Sequence, residues 1–313
     1  MSKKSQLVID GTTIEVSNLD KVFYPKTGFT KGQVIDYYVR ISPHLLPYLK
    51  DRPVTLKRYP EGVEGFFFYE KECPSHRPKW VKTADVPRTK GGEIHYCVMN
   101  DLPALVWAAN LADLELHTFL HRAPNIERPD WLAFDLDPGP PADIVLCCKV
   151  GLWLRSLFDC LGLKCFAKTS GSKGLQVFVP LNTAVTYEKT GAFAHAVAEL
   201  LEKKEPETVV SKMQKNLRGG KVLVDWSQNN DHKTTVTVYS LRAKEHPTVS
   251  TPVTWEEVES ALKKKNSKAL MFEADDVLKR VEKQGDLFSP VLKLKQKLPS
   301  LASLERDCEN FHK

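Results

Sequence analysis

The strongest constraint on the fold is the segment AFDLDPGPP, residues 133–141, in which apolar and acidic residues alternate before the chain must turn. In a β-strand, residues two apart project from the same face, so Asp135 and Asp137 point one way while Phe134 and Leu136 point the other. The prolines and the glycine that follow end the strand at once. The segment therefore predicts a strand that buries one face and presents two carboxylates at its end.

Apolar periodicity along the rest of the chain predicts strands that return between helices. Segments such as VTLKRYP, LQVFVPL, KVLVDWS and TVTVYSL are typical of strands, and TKGQVIDYYVRISPHLLPYL is typical of a helix capped by Thr30. We therefore expect an α+β fold with mixed central β-sheets flanked by helices, arranged as two closely packed lobes. The expected organisation is a single domain over residues 1–300 and a C-terminal tail over residues 301–313, with loose order from about Leu292.

Composition narrows the class of protein. The 313 residues, 42% of them hydrophobic, can bury a core, and no stretch approaches the ~18 uninterrupted apolar residues of a membrane span, which favours a cytoplasmic protein. The seven cysteines form no CxxC pair, so buried free thiols are expected rather than a disulfide framework or a zinc site. The net charge of +6 permits a polyanionic partner if the cations are clustered.

The paired aspartates of the first segment are candidates for a metal site. Two carboxylates held close together raise each other's pKa or bind a cation, and an open strand end admits hydrated Mg²⁺ or Mn²⁺. A lone pair of this kind more often faces solvent or caps a helix. The segment KVLVDWSQ predicts a second strand, which ends at an acidic residue, Asp225. Three aspartates on two strands can bind the two divalent ions that phosphoryl transfer uses, although Asp225 could instead cap a turn.

The segment TSGSKGLQV is a candidate phosphate-binding loop. Its glycines let backbone amides approach an anion, Ser170 and Ser172 add hydroxyl groups, and Lys173 adds a compact positive charge. It is not a Walker A loop, which opens a helix, because here a strand follows. A plain turn is the alternative interpretation.

Further charged and aromatic residues could serve a nucleotide or a nucleic acid. Cations at predicted strand ends could clamp phosphate oxygens, or could each be a solvated surface charge; they are Lys57, Arg58, Arg218, Lys221 and Arg242. The run GFFFYEK offers either a platform for base stacking or core packing. His117 and His121 would suit a metal pair on a helix, but the alternation of LELHTFL favours a strand.

The order of these pieces resembles the polymerase domain of bacterial DNA ligase D, within the archaeo-eukaryotic primase superfamily. The resemblance spans nearly the whole chain and includes SNLDKVFYP, TKGQVIDYY, RPVTLKRYP, FFFYEK, LELH, FDLDPG, TSGSKGLQV, VLVDWSQN and YSLRAKEHPTV. It implies a primase-polymerase fold. The nuclease and ATP-dependent ligase parts of the larger protein have no counterpart here, so we expect a stand-alone polymerase or an excised domain.

The resemblance also implies roles for individual residues. Asp135, Asp137 and Asp225 would be the catalytic carboxylates that bind two Mn²⁺ or Mg²⁺ ions. The incoming NTP or dNTP would be held by Ser170, Ser172, Lys173 and Arg242, by Lys57, His117 and Gln228, and by stacking on Phe68 and Tyr69, with Arg218 as a further nucleotide-binding residue. Tyr69 stands where many relatives carry phenylalanine, and a tyrosine preserves stacking. Lys21 and Lys31 would bind the 5′-phosphate at a DNA break, and residues 81–93 would form a surface loop that aligns broken ends.

The predicted function is that of a template-directed nucleotidyltransferase, a DNA-dependent DNA/RNA polymerase that prefers ribonucleotides and acts in non-homologous end joining. Its partners would be DNA with gaps, breaks or 3′ overhangs carrying a 5′-phosphate, with Ku and a separate ATP-dependent DNA ligase as candidates, in the nucleoid-associated cytoplasm. Two alternatives stay open. One is a primer-independent primase of the same superfamily, against which the lack of a recognisable zinc module counts. The other is a catalytically idle module that binds DNA ends, against which the three aspartates count.

Overall fold

The computed structural model describes residues 4–88 and 91–307, which form two compact units. The strands are β1 (Lys4–Ile9), β2 (Thr12–Ser17), β3 (Val22–Tyr24), β4 (Phe29–Thr30), β5 (Pro53–Arg58), β6 (Phe68–Glu70), β7 (Lys82–Pro87), β8 (Glu93–Val98), β9 (Asp113–Thr118), β10 (Trp131–Pro138), β11 (Phe166–Thr169), β12 (Leu175–Pro180), β13 (Val209–Val210), β14 (Val222–Asp225), β15 (Thr235–Val236) and β16 (Pro252–Val253). The α-helices are α1 (Lys31–Leu49), α2 (Leu102–Asn110), α3 (Ile144–Cys160), α4 (Tyr187–Lys204), α5 (Trp255–Lys264), α6 (Ala274–Gln284), α7 (Pro290–Lys293) and α8 (Leu301–Asp307). Within the described ranges, no helix has the length and apolar character needed to cross a membrane.

The first unit comprises Met1–Ile126, Thr234–Ser250 and Phe272–Gly285. Its main sheet has the strand order β15-β9-β5-β8-β7, and β6 pairs with β5. The hairpins β1–β2 and β3–β4 form two small sheets beside it. Helix α1 packs against α2 and α6.

Helix α1 begins where the sequence predicts. The Thr30 hydroxyl accepts a hydrogen bond from the Gln33 amide while the Gln33 side chain accepts one from the Thr30 amide, a reciprocal pair known as a capping box. The helix buries an apolar face that comprises Val34, Ile35, Tyr38 and Ile41. The Tyr38 hydroxyl donates to the carbonyl oxygen of Leu114 at 2.8 Å, which ties the helix to β9.

The second unit comprises Glu127–Lys233, Thr251–Met271 and Asp286–Lys313. Its sheet has the order β13-β14-β10-β12-β11-β16, and helix α3 packs on β10 and β12. The ring of Phe134 on β10 lies 5.5 Å from that of Phe158 on α3, so the apolar face of β10 is the face that the helix covers. Asp143 caps α3 by accepting a hydrogen bond from the Val145 amide at 2.9 Å.

The α+β fold with mixed sheets is confirmed, but the predicted strand TVTVYSL is not. Only Thr235–Val236 forms a strand, paired with β9, and Leu241 forms an isolated bridge with Val249. Tyr239 lies between them with a φ of 65°, a left-handed conformation that interrupts an extended strand. Arg242 therefore lies in an irregular segment rather than at a strand end. The single domain predicted over residues 1–300 stays a prediction.

The expectation that all cysteines are free thiols is wrong for two of them. Cys73 and Cys97 form a disulfide, with their Cα atoms 5.0 Å apart. The Cys73 amide donates to the carbonyl oxygen of His95 at 2.7 Å, which sets this loop residue beside β8. Cysteines 24 residues apart carry no pairing signal in a single sequence, because the contact depends on the path of the chain between them.

Two segments are more regular than predicted. Within the predicted surface loop of residues 81–93, Lys82–Pro87 forms strand β7, which pairs with β8, while residues 89 and 90 lie outside the described residues. After Leu292 the chain is held by Gln296, whose amide donates to the carbonyl oxygen of Leu181 at 2.9 Å and whose side chain donates to that of Pro180 at 2.8 Å. The predicted tail contains helix α8, and residues 308–313 lie outside the description.

Candidate functional site

Three aspartates lie on neighbouring strands of the second unit. Strands β10 and β14 are antiparallel, and their register sets Asp135 directly opposite Asp225. Asp137 lies two residues further along β10, on the same face as Asp135. Phe134 and Leu136 on the other face are fully buried, whereas both aspartates of β10 are partly exposed. The arrangement predicted for the strand AFDLD is therefore present at the level of the backbone.

The turn after β10 depends on Gly139. A Cβ atom at this position would lie 1.8 Å from the carbonyl oxygen of Arg218. The Gly139 amide donates to the carbonyl oxygen of Lys221 at 2.8 Å, and the Gly220 amide donates to that of Gly139 at 3.1 Å. Because only glycine allows this approach, the turn that carries Arg218 lies directly against the end of β10.

Electrostatic repulsion among the carboxylates perturbs Asp135. Burial, followed by the negative charges of Asp137 and Asp225, raises the pKa of Asp135 from its ordinary value of 3.8 to about 6, against the lowering effect of Gln176 and Lys168. Like charges gathered in one place favour the binding of cations, and carboxylate oxygens are the donors that Mg²⁺ and Mn²⁺ prefer. The residues present therefore fit divalent ions in their chemistry.

The side chains nevertheless have other partners in this structure. Asp137 lies 3.6 Å from Lys173 Nζ and 3.9 Å from Arg218 Nη1, and Asp225 accepts a hydrogen bond from Gln228 Nε2 at 3.2 Å. No group of three or more acidic, histidine or cysteine side chains within residues 4–88 and 91–307 is arranged to hold a metal ion. Binding of cations would require Asp137 and Asp225 to turn away from these partners.

The SGSKG loop lies beside the strand that carries the first two aspartates. The Ser170 hydroxyl accepts hydrogen bonds from the amides of Ser172 at 3.2 Å and Gly174 at 3.1 Å, so it shapes the loop. A Cβ atom on Gly174 would lie 2.2 Å from the carbonyl oxygen of Leu136, which makes glycine necessary there. The loop thereby brings the exposed Lys173 next to the aspartates.

The first unit holds a second charged cluster, centred on Glu115, which is 1% exposed. Its carboxylate lies 3.3 Å from both Lys57 Nζ and Arg242 Nε, and 3.0 Å from His117 Nε2. Burial opposes the charge of Glu115, but the hydrogen bond from His117 and the positive charges of Arg242 and Lys57 outweigh it and hold the pKa of Glu115 below its usual range. Burial lowers the pKa of His117, so its ring is neutral at pH 7 and donates to the carboxylate.

Glu115 was not among the predicted site residues, although a signal for it exists. In the segment LELH, Glu115 and His117 are two positions apart, as Asp135 and Asp137 are, and therefore share a strand face. The register of β5 and β9 then sets Lys57 directly opposite Glu115. The Glu115 carboxylate therefore contacts three of the predicted nucleotide-binding residues, Lys57, His117 and Arg242.

We expect Glu115→Gln to destabilise the protein by about 3 kcal/mol, because it leaves Lys57 and Arg242 nearly buried without a counter-charge. Since the pKa of Glu115 is lowered by folding, its contribution is full above about pH 4.3, the unfolded value, and is lost as the pH falls towards the folded value. Urea denaturation at pH 7 and pH 3 measures the difference, which should shrink at the lower pH. The exposed Glu245→Gln is the matched control; equal effects of the two variants at pH 7 would contradict this account.

The predicted stacking residues lie on the short strand β6, which pairs with β5. The Phe68 ring lies under the guanidinium of Arg58, whose Cζ is 5.1 Å from the ring centroid. Tyr69 is 56% exposed, with its ring centroid 6.1 Å from that of His117 and 5.4 Å from Lys57 Nζ. Tyr69 therefore faces solvent beside the Glu115 cluster, as does Phe67, whose ring centroid lies 4.9 Å from Lys57 Nζ.

The two lysines predicted to bind a 5′-phosphate also lie in the first unit. Lys31 begins helix α1 and donates through Nζ to the carbonyl oxygen of Ser17 at 2.8 Å, while Lys21 Nζ contacts Pro60 O at 2.8 Å and Glu61 at 2.7 Å. Burial, and then the positive charge of Lys21, lower the pKa of Lys31 from 10.5 to about 8. An anion bound here would relieve that repulsion.

The predicted site residues thus form separate groups in the two units. The second unit contains Asp135, Asp137, Ser170, Ser172, Lys173, Arg218, Asp225 and Gln228. The first unit contains Lys21, Lys31, Lys57, Phe68, Tyr69, His117 and Arg242. Their roles in binding and catalysis stay predictions.

Known proteins match this chain over most of its length. Residues 30–288 match the family model described as LigD, primase-polymerase domain. The multifunctional non-homologous end joining protein LigD of Mycolicibacterium smegmatis is 39% identical over 280 residues, which are 89% of this chain and 36% of that protein. The bifunctional non-homologous end joining protein LigD of Bacillus subtilis is 32% identical over 294 residues, which are 94% of this chain and 46% of that protein.

A solved structure matches as well. The polymerase domain from Mycobacterium tuberculosis Ligase D in complex with DNA superposes with a TM-score of 0.84 at 36% sequence identity, over 90% of this chain and 99% of that chain. The chain therefore has the fold of that domain, and it spans less than half the length of the two curated relatives.

Proposed function

Because this chain belongs to the LigD primase-polymerase family, we propose that it is a template-directed nucleotidyltransferase that fills gaps and extends ends in non-homologous end joining. The observation that carries the proposal is the strand register that sets Asp135 opposite Asp225, beside a glycine-rich loop with Lys173. The DNA in the related solved structure supports DNA as the partner. DNA with gaps, breaks or 3′ overhangs and a place at the nucleoid enter the proposal from the end-joining role.

In this proposal Asp135, Asp137 and Asp225 hold two divalent ions, Mn²⁺ or Mg²⁺. When bound, these ions lower the pKa of the primer 3′-hydroxyl and neutralise charge on the triphosphate and the leaving pyrophosphate. The attacking group is the primer 3′-hydroxyl, so the proposal requires no covalent nucleophile from the protein. The protein's own contribution is alignment: Lys173 and Arg218 lie 3.6 Å and 3.9 Å from Asp137 in the structure and would bind phosphate oxygens.

We further propose that Lys57, His117 and Arg242 bind the incoming nucleotide and that Tyr69 stacks on a base. The shared contact of the three polar residues with Glu115 supports this, since it holds them in one fixed cluster. The preference for ribonucleotides enters the proposal from the family resemblance alone. Ku and a separate ATP-dependent ligase enter as partners because the relatives are end-joining proteins.

A primer-extension assay on gapped DNA tests the function. The substrate carries a 5′-phosphate at the gap, and each NTP and dNTP is offered with Mn²⁺ or Mg²⁺. We expect templated addition to the primer, with NTPs used more readily than dNTPs, and no product when the primer is omitted. Binding of DNA without addition under any of these conditions would instead favour an end-binding module, and products without primer would favour a primase.

The preference for 5′-phosphorylated DNA at the proposed Lys31 site should depend on pH. We expect wild-type protein to bind 5′-phosphorylated gaps about tenfold more tightly than unphosphorylated ones at pH 7, and Lys31→Met to lose most of this preference. Because the pKa of Lys31 is about 8, the proton and the preference should be lost as the pH rises from 7 to 9. Fluorescence anisotropy measures both, with the exposed Lys50→Met as control. Equal binding of the two DNAs by wild type at pH 7 would exclude this site.

A further inference from the structure

A lysine lies in the same row of residues as the carboxylates. Strand β12 pairs with β10 and β11, and the registers set Gln176 opposite both Asp135 and Lys168. Asp225 lies opposite Asp135 on the other side. Directly opposite residues project from the same face of a sheet. The four side chains therefore form one row across four strands, in the order carboxylate, carboxylate, amide, ammonium.

The lysine is deeply buried. Lys168 is 1% exposed and Gln176 is 3% exposed, and the Lys168 ammonium lies 5.4 Å from the centroid of the Phe178 ring. Burial of an ammonium group costs several kcal/mol, and an apolar side chain of similar length would fill the same space without that cost. Stability alone therefore does not account for a lysine at this position.

The hydrogen bonds in the row determine how the Gln176 amide is oriented. The Lys168 ammonium has only donors, so it binds the oxygen end of the Gln176 amide. The NH₂ end of the amide is then turned towards Asp135, with which Gln176 makes a side-chain hydrogen bond. A flipped amide would present its oxygen to the carboxylate and repel it. Lys168 thus determines which end of Gln176 faces Asp135.

We propose that Lys168 is a positioning residue for the metal-binding carboxylates: through Gln176 it holds the Asp135 carboxylate in the orientation that accepts a divalent cation. This inference rests on the proposed function, in which Asp135, Asp137 and Asp225 bind such ions. Two strand spacings, roughly 10 Å, separate Lys168 from Asp135 along the row. At that distance its charge offsets the repulsion among the carboxylates without occupying the place of a cation.

Isothermal titration of the metal-free protein with Mn²⁺, without nucleotide, tests the proposal. We expect Lys168→Met to bind Mn²⁺ about tenfold more weakly than wild type, with a melting temperature that is unchanged or higher. In primer extension, the Mn²⁺ concentration for half-maximal rate should rise about tenfold, while kcat at saturating Mn²⁺ stays within about twofold. The exposed Lys164→Met, four residues earlier, is the matched control and should leave all three quantities unchanged.

A second variant tests whether Lys168 acts on Asp135 through Gln176 or directly through its charge. Gln176→Leu should weaken Mn²⁺ binding to a similar degree, and the double variant should bind no more weakly than either single one, because Lys168 acts through Gln176. If Lys168→Met does not fold, an unchanged affinity in Gln176→Leu still overturns the proposal. Additive losses overturn the route through Gln176. Equal Mn²⁺ affinity in wild type and Lys168→Met overturns the proposal and leaves the proposed function standing, whereas failure of wild type to bind Mn²⁺ and to extend primers overturns both.

Discussion

Asp135→Asn should lower the rate of nucleotide addition on gapped DNA at least about a thousandfold, because an amide does not replace the negative charge of a carboxylate ligand. The same variant should make the metal-free protein more stable at pH 7. Folding raises the pKa of Asp135 from 3.8 to about 6, so keeping this side chain ionised at pH 7 costs about 3 kcal/mol, which asparagine avoids.

The size of that stability effect depends on pH, and its sign depends on bound metal. Below pH 3.8 the carboxyl is protonated in both the folded and the unfolded chain, so the advantage of asparagine vanishes; it grows as the pH rises and is complete above about pH 6. Saturating Mn²⁺ should stabilise wild type and not the variant, which reverses their order. Thermal melting at pH 3.5 and pH 7, with and without Mn²⁺, measures both effects.

Asp143→Asn is the matched control for this experiment. Asp143 caps helix α3 and lies six residues after Asp137, and asparagine caps a helix about as well. We expect this variant to keep wild-type activity and wild-type stability. Retention of activity by Asp135→Asn would remove the proposed mechanism.

Gly139→Ala should destabilise the protein by at least about 3 kcal/mol and abolish nucleotide addition. The new Cβ atom would lie 1.8 Å from the carbonyl oxygen of Arg218, and this neighbour is backbone, which cannot swing aside as a side chain does. Relief of the clash requires the turn that carries Arg218 to move away from the end of β10. Chemical denaturation followed by tryptophan fluorescence measures the loss of stability.

The neighbouring Gly219→Ala separates this clash from the general cost of replacing a glycine. Gly219 forms an isolated bridge with Gly139, but a Cβ atom there meets nothing within 4 Å. We expect Gly219→Ala to remain active and to be as stable as wild type. Similar losses in the two variants would show that the close approach of Gly139 to Arg218 is not what the turn requires.

Local chemistry made much of this fold predictable. The capping box at Thr30 and the cap at Asp143 are set by residues within three positions, and the alternation in AFDLD decides which side chains share a face whatever the strand pairs with. Features that depend on pairing between segments far apart in the chain could not be predicted from local sequence in the same way. Asp135 and Asp225, which the strand register sets opposite each other, are 90 residues apart in the chain. The sequence could therefore indicate that both strands carry aspartates near their ends, but not that the two strands pair in this register.

The same reason explains what sequence reasoning missed. A lysine within a strand is ordinarily exposed, and only the sheet order shows that Lys168 is buried in the row of Asp135. Glu115 gains its importance from Lys57 and Arg242, which approach it from distant parts of the chain. The left-handed Tyr239 interrupts a segment whose composition favours a strand, because backbone conformation at one residue overrides propensity.

The most direct test of the central claim is anomalous diffraction from crystals grown with Mn²⁺, gapped DNA and a non-hydrolysable NTP. We predict manganese peaks in contact with the carboxylates of Asp135, Asp137 and Asp225, with Lys173 and Arg218 turned from Asp137 to the phosphate oxygens. Crystals that contain the nucleotide but show no manganese at these three carboxylates would contradict the account.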